Sequence, residues 1–130
     1  MSAELELWLR EYAEAFDAFD EEGLASRFHC PCLMVGPGHV AELPTPAAIR
    51  ANVRAILAHH RDRGFGSARI RNLSVDLAGT RIAFATVDWE VVAPDGAPLW
   101  EFRNTYNLVR SPEAPGDWKI LVSTTHEASR

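Results

Sequence analysis

Residues 81–110, RIAFATVDWEVVAPDGAPLWEFRNTYNLVR, alternate between apolar and polar side chains on both sides of a short turn. The alternation runs through residues 81–92 and again through residues 98–110, and a period of two is typical of a strand with one buried face. Between the two runs, APDGA contains the Pro, Asp and Gly that tight turns favour. The stretch therefore predicts an antiparallel hairpin of two long strands.

Pairing the two strands across this turn places Trp89 opposite Phe102 and assigns every side chain to one face of the sheet. One face is mostly apolar: Ala83, Ala85, Val87, Trp89, Val91, Trp100, Phe102, Asn104, Tyr106 and Leu108. The other face is polar: Thr86, Asp88, Glu90, Glu101, Arg103, Thr105 and Asn107. Because burial stabilises apolar surface by about 25 cal/mol per Å², we expect the apolar face to pack on helices. The polar face is expected to meet water or a partner subunit, with Asp88 and Arg103 as a cross-strand ion pair.

The chain before this hairpin is largely helical in its pattern. Residues 2–20 have an amphipathic stripe at steps of three and four, with Ser2 as the cap: Leu5, Trp8, Leu9, Tyr12, Phe16 and Phe19. A short second helix is predicted over residues 21–28. A third helix starts after the cap Thr45 and ends at Gly64, with the stripe Ile49, Val53, Ile56 and Leu57.

Three more strands complete the pattern, at residues 32–36, 68–77 and 117–127. Residues 36–44 are rich in turn formers, although part of them can pair as a short strand. The order is α-α-β-α-β-β-β-β, which predicts an α+β fold. At 130 residues, the chain is expected to form a single domain over residues 1–130.

Composition excludes several classes of function. The net charge is −5 and Lys and Arg are scattered, so the phosphate backbone of nucleic acid and anionic membrane surfaces are not expected partners. No apolar run approaches the roughly 18 residues of a membrane span. Two cysteines give no disulfide framework, and the N-terminus is acidic, so we expect a cytoplasmic protein.

Three stretches of the chain resemble the nuclear transport factor 2 (NTF2)-like superfamily, which includes SnoaL-like cyclases, ketosteroid isomerases and scytalone dehydratases. They are FDAFDEEGLASRF at residues 16–28, FRNTYNLVR at 102–110 and GDWKILVSTTHEAS at 116–129. The resemblance covers nearly the whole chain. It implies a cystatin-like α-β cone, in which three N-terminal helices pack on a curved, mainly antiparallel sheet. It also implies a pocket at the open end of the cone and subunits that dimerise.

Residues 28–32, FHCPC, place a histidine and two cysteines within five positions. Cys30 and Cys32 are too close to chelate one metal in the usual way, and no second ligand pair occurs. A thioredoxin-type redox motif needs two intervening residues. His59 and His60 are adjacent on a helix and point about 100° apart, so they do not form a metal pair. We expect neither a metal nor a cofactor.

His29 falls at the predicted end of the second helix, close to where SnoaL-like and ketosteroid isomerase-like members carry a pocket residue. There it is either a general base, a role that suits histidine side chains in general, or a histidine hydrogen-bonded at a helix end. Proton-shuttling members of the superfamily commonly use a pocket Asp or Glu. The apolar face of the hairpin has no carboxylate, so this sequence departs from that pattern.

Two function classes remain. The first is a pocket that binds a small apolar or mixed-polarity ligand, or that catalyses a cofactor-free dehydration, cyclisation or isomerisation. Its candidate catalytic residues are His29 and Tyr12, and its candidate pocket residues are Phe16, Trp89, Phe102, Asn104, Tyr106, Ser123 and Thr125. The second is a protein-association domain whose cone is filled by its own side chains. A cavity above about 300 Å³ beside Tyr12 favours the first class.

Burying polar groups without partners costs about 1–3 kcal/mol each, so those on the apolar face should bond each other, water or a ligand. We therefore predict a cavity bordered by Tyr12, Trp89, Asn104 and Tyr106. Ala83 and Ala85 are expected to leave room for the guest, and His29 to lie near the mouth. The polar face of the sheet is predicted to form a homodimer.

Overall fold

A long antiparallel hairpin forms part of a six-stranded sheet in the structure of this protein, a computed structural model. The structure describes residues 3–127, apart from the side chains of residues 114–116. The strands are β1 (Phe28–Gly36), β2 (His39–Leu43), β3 (Ser67–Leu77), β4 (Ile82–Val92), β5 (Pro98–Ser111) and β6 (Ala114–Thr125). Their order across the sheet is β2-β1-β6-β5-β4-β3. Within the described residues, every neighbouring pair is antiparallel except β1 with β6, which is parallel.

The register of β4 and β5 is the one that the alternation predicts. Trp89 pairs with Phe102, and two more pairs follow in step: Val87 with Asn104 and Ala85 with Tyr106. The apolar face is buried, with Ala83, Ala85 and Val87 all at 0% exposure. On the opposite face, Arg103 Nε donates to Asp88 Oδ1 over 2.6 Å. The predicted assignment of the two faces is therefore confirmed.

Three helices cover the apolar face of the sheet: α1 (Ala3–Asp17), α2 (Glu21–Ala25) and α3 (Pro46–Asp62). The stripe of α1 is buried as its spacing predicts, at Leu5, Trp8, Leu9, Tyr12 and Ala13. Thr45 caps α3, since its Oγ1 accepts the N–H of Ala48 over 3.1 Å. The cap predicted at Ser2 lies outside the described residues. None of the helices in the described part of the chain combines the length and hydropathy that a membrane span requires.

The chain around residue 28 differs from its sequence pattern. The second helix ends at Ala25 rather than at residue 28, and β1 begins at Phe28 rather than at residue 32. The cause is pairing with β6, because the carbonyl of Arg27 accepts the N–H of Ile120 over 2.8 Å and Phe28 pairs with the same residue. Pro31 lies inside this strand, where the pairing with β6 is interrupted.

The turn-rich residues after β1 contain a real strand. β2 pairs with β1 from Leu43 to His39, so the element order has one strand more than the order derived from the pattern. The architecture is otherwise the predicted α+β arrangement of three helices on one mainly antiparallel sheet.

Gly66, between α3 and β3, makes a close contact that tests this packing. Its N–H donates to the carbonyl of Val92 over 2.8 Å, and an added Cβ would lie 2.4 Å from backbone atoms of Ala93 and Pro94. We expect Gly66→Ala to lower the free energy of unfolding by about 1–3 kcal/mol, because the hairpin must move to admit a methyl group. Urea denaturation measures this loss. Ser67→Ala is the control, and an equal loss in both variants would contradict the steric explanation.

Candidate functional site

A cavity of about 390 Å³ lies between the helices and the apolar face of the sheet. The helices contribute Tyr12, Phe16, Ala55, Ile56, His59 and His60 to its lining. The sheet contributes Trp89, Phe102, Asn104, Tyr106, Ser123 and Thr125, among others. No Asp, Glu, Lys or Arg is among the described lining residues. The cone is therefore not filled by its own side chains, and no carboxylate, lysine or arginine in the described lining faces the space inside it.

Two tyrosines and a tryptophan form the first polar cluster of the lining. The indole N–H of Trp89 donates to the hydroxyl of Tyr106 over 3.0 Å, and the rings of Tyr12 and Tyr106 meet edge to face with centroids 5.8 Å apart. Burial raises the pKa of Tyr12 well above its ordinary value, and the neighbouring Tyr106 raises it further. Burial also raises the pKa of Tyr106. Both phenols therefore keep their protons at neutral pH and act as hydrogen-bond groups rather than as bases.

Asn104 organises the second polar cluster. Its Nδ2 donates to Ser123 Oγ over 3.0 Å, and its Oδ1 accepts from Thr125 Oγ1 over 2.8 Å. The register of β5 and β6 brings these groups together, because Asn104 pairs with Thr125 and Tyr106 pairs with Ser123. An amide that is only 2% exposed is thereby bonded at both ends.

The sequence-predicted residues fall into two groups. Tyr12 and all seven candidate pocket residues line this one cavity: Phe16, Trp89, Phe102, Asn104, Tyr106, Ser123 and Thr125. The position predicted for His29 is wrong, because it lies in β1 rather than at a helix end and is not among the lining residues. Its Nδ1 is 2.8 Å from the carbonyl oxygen of Pro31. The predicted role of Ala83 and Ala85 is also wrong, since neither is in the described lining, whose alanines are Ala55 and Ala68.

His60 is the lining residue that the sequence reasoning missed. Its ring stacks on Phe65 with centroids 4.8 Å apart and lies 5.4 Å from the ring of Phe16. Its Nδ1 is buried and has no hydrogen-bond partner within residues 3–127. A signal was present in the sequence, because His60 continues the stripe of Val53 and Ile56 at steps of seven and four. In the sequence analysis, His60 was considered only as a metal ligand together with His59, and so was not assigned to the buried stripe.

Neither cysteine belongs to this site. Cys30 is exposed, Cys32 is buried, and both are free thiols. Burial raises the pKa of Cys32 to about 11, so it is an uncharged core side chain. Within the described part of the chain, no three His, Cys, Asp or Glu residues are grouped so as to hold a metal ion.

A model of the NTF2-like protein family DUF6841 matches residues 3–128 of the sequence. The chain belongs to this NTF2-like family. The match agrees with the resemblance carried by residues 16–28, 102–110 and 116–129, and with the helices and sheet described above. No curated protein matches the chain.

Solved structures share the fold of this NTF2-like domain at low sequence identity. Aln2 from a Streptomyces species is 22% identical, with a TM-score of 0.72 over 98% of this chain and 93% of that one. A candidate scytalone dehydratase from Novosphingobium aromaticivorans is 15% identical, with a TM-score of 0.70 over 96% and 82%. A candidate calcium/calmodulin-dependent protein kinase II association domain from Xanthomonas campestris is 13% identical, with a TM-score of 0.69 over 97% and 88%. Other matching structures are described as having a cystatin-like fold, one of them an NTF2-like protein from Novosphingobium aromaticivorans, so the similarities show this fold.

The electrostatics of His60 predict how this NTF2-like domain responds to acid. Burial, followed by the charges of His59 and Arg63, lowers its pKa from 6.5 to about 4. Between pH 6.5 and about pH 4, His60 is protonated in the unfolded chain but not in the folded protein. The free energy of unfolding therefore falls as the pH drops through this range. Because the side chain is only partly buried, solvent screening reduces the effect. We expect this histidine to account for about 2 kcal/mol of lost stability between pH 7 and pH 4.

Urea denaturation of the wild type and of His60→Phe at both pH values measures this effect. The phenylalanine keeps the ring packing and cannot be protonated, so the variant should lose less stability on acidification. Parallel losses in the two proteins would show that His60 is not the group responsible.

Proposed function

We propose that this NTF2-like domain binds a small, mainly apolar molecule in the cavity beside Tyr12. The observation that carries the proposal is a space of about 390 Å³ with an aromatic lining and polar clusters on the sheet side. Pockets for small molecules commonly have volumes of about 300–1,000 Å³ and combine apolar walls with a few fixed polar groups. Trp89, Phe102 and Phe16 supply the apolar walls, and the Asn104 cluster supplies the fixed polar groups.

The alternative of an association domain with a filled cone has less support. It requires side chains to occupy the space that this cavity leaves open. A candidate kinase association domain shares this fold. The polar face of the sheet points away from the cavity, so assembly through that face would leave the cavity free. Ligand binding and association are therefore compatible in this fold.

Catalysis is a further step that this site could support. The sequence resemblance suggests cofactor-free dehydration, cyclisation or isomerisation, and the similarity to a candidate scytalone dehydratase favours dehydration among them. The acid–base groups in the described lining are Tyr12, Tyr106, His59 and His60, and none is a carboxylate. Because both phenols keep their protons and His60 is a weak base, binding is the function that the lining supports best.

A larger side chain at Ala55, an exposed position on α3, would block the cavity. It lines the cavity, whereas Ala58 is exposed on the same helix and is absent from the lining. We expect Ala55→Trp to weaken binding of the neutral fluorophore N-phenyl-1-naphthylamine by at least about tenfold, because the indole occupies the space that the probe needs. Fluorescence titration measures the change. Ala58→Trp is the matched control, and equal affinities in the two variants would place the probe elsewhere.

We further propose that the polar face of the sheet forms a homodimer. This face holds cross-strand polar pairs, such as Thr86 with Thr105 at 2.9 Å between hydroxyls, and the bidentate Asp88–Arg103 pair. Two large apolar side chains of β4 share the face and stay exposed, Ile82 at 41% and Phe84 at 43%. A second copy would cover this apolar surface and add to the stability of the pair.

Phe84→Glu tests the dimer at its apolar contact. We expect the wild type to sediment as a dimer at micromolar concentration and Phe84→Glu to sediment as a monomer, because the carboxylate would be buried without a partner. Leu7→Glu is the control, since Leu7 is 58% exposed on α1. A monomeric wild type in analytical ultracentrifugation would remove the proposal.

A further inference from the structure

His60 lies in a cage of aromatic rings on the helical side of the cavity. Phe65 stacks on it with an interplanar angle of 11°, and Phe16 and Trp100 approach with centroids at 5.4 and 5.7 Å. The cage holds the ring from several sides and leaves the imidazole little freedom to turn away. The ring itself borders the cavity. Its position is therefore fixed relative to anything bound inside.

The surroundings of His60 keep it uncharged. Burial lowers its pKa to about 4, and His59 and Arg63 on the same helical segment lower it as well. The rings that pack against it from outside α3 belong to Phe16, Phe65 and Trp100 and carry no charge. At neutral pH the imidazole therefore has one N–H and one free lone pair.

Neither of these hydrogen-bonding capacities is used within the described part of the protein. Nδ1 is buried without a partner in residues 3–127, and no described residue donates to or accepts from the ring. A hydroxyl group both donates and accepts, so it can pair with either ring tautomer of a neutral histidine. A carboxylate can only accept, and the described lining has no Lys or Arg to neutralise it.

We propose that His60 selects the ligand, by hydrogen bonding to the hydroxyl group of an uncharged, flat ring compound held in the cavity. This inference rests on the proposed binding function and narrows it to one chemical class, phenols and related cyclic alcohols. The ring of the ligand lies among the aromatic side chains, and its hydroxyl group faces α3. The Asn104 cluster, on the sheet side, is left for any second polar group.

Three probes with the same ring system test the proposal at pH 7: naphthalene, 2-naphthol and 2-naphthoate. We expect 2-naphthol to bind the wild type about tenfold more tightly than naphthalene, the gain from one hydrogen bond in a buried site. We expect 2-naphthoate, which is charged at this pH, to bind more weakly than either. Quenching of intrinsic tryptophan fluorescence measures all three affinities, since Trp89 lines the cavity.

His60→Phe is the decisive variant, because it keeps an aromatic ring in the cage and removes the nitrogens. We expect the roughly tenfold preference for 2-naphthol over naphthalene to disappear in this variant, so that the two probes bind it equally well. His39→Phe, at an exposed position on β2, is the control and should bind like the wild type. Nuclear magnetic resonance of the wild type with ¹⁵N-labelled histidine gives a readout without mutation. There, the ring nitrogens of His60 should shift on adding 2-naphthol and not on adding naphthalene.

The outcomes separate this inference from the proposed function. If naphthalene and 2-naphthol bind the wild type equally well and Ala55→Trp still blocks both, the proposed role of His60 is wrong. The proposed binding site would be supported by the same result. Tight binding of 2-naphthoate would overturn the requirement for an uncharged ligand. If Ala55→Trp left the affinities of all three probes unchanged, both the inference and the proposed binding site would be wrong.

Discussion

The pairing of β5 on both of its edges is the constraint on which the site depends. β4 fixes one edge of this strand and β6 fixes the other, so its side chains cannot change face without breaking two ladders of hydrogen bonds. Asn104 and Tyr106 are two residues apart on β5 and therefore face the helices together. The same pairing brings Ser123 and Thr125 beside them. A polar cluster inside an apolar cone is thus set by backbone register rather than by a flexible loop.

Polar side chains can be buried inside the cone because they form hydrogen bonds with each other. Trp89 donates to Tyr106, and Asn104 bonds Ser123 and Thr125, so most of the polar atoms on the sheet side have partners before any ligand arrives. The helical side is different, because Nδ1 of His60 is buried without a partner in the described residues. The two sides of the cavity therefore differ in kind: the sheet side is preorganised, and the helical side has unused hydrogen-bonding capacity.

Much of this arrangement could be predicted from the sequence, and the failures have physical causes. Alternation within residues 81–92 and 98–110 determined both faces of the hairpin, because a period of two leaves only two assignments. The position of His29 could not be predicted from local pattern. Residues 26–31 have no clear periodicity, and their conformation depends on pairing with β6, far away in the chain. His60 was on the apolar stripe of α3, but a polar residue is easily assigned to the solvent side when its neighbour His59 is polar too.

The parallel pairing of β1 with β6 has a consequence for how the chain is made. β1 begins at Phe28, whereas its partner residues Ile120 to Thr124 follow only after every other strand of the sheet. Until they leave the ribosome, the edge of β1 that β6 will cover is unpaired, and the β1–β2 hairpin lacks its connection to the rest of the sheet. Contacts so distant in sequence form late and slowly, because a long loop must close first. The cone, and the cavity within it, can therefore be completed only once β6 has been synthesised.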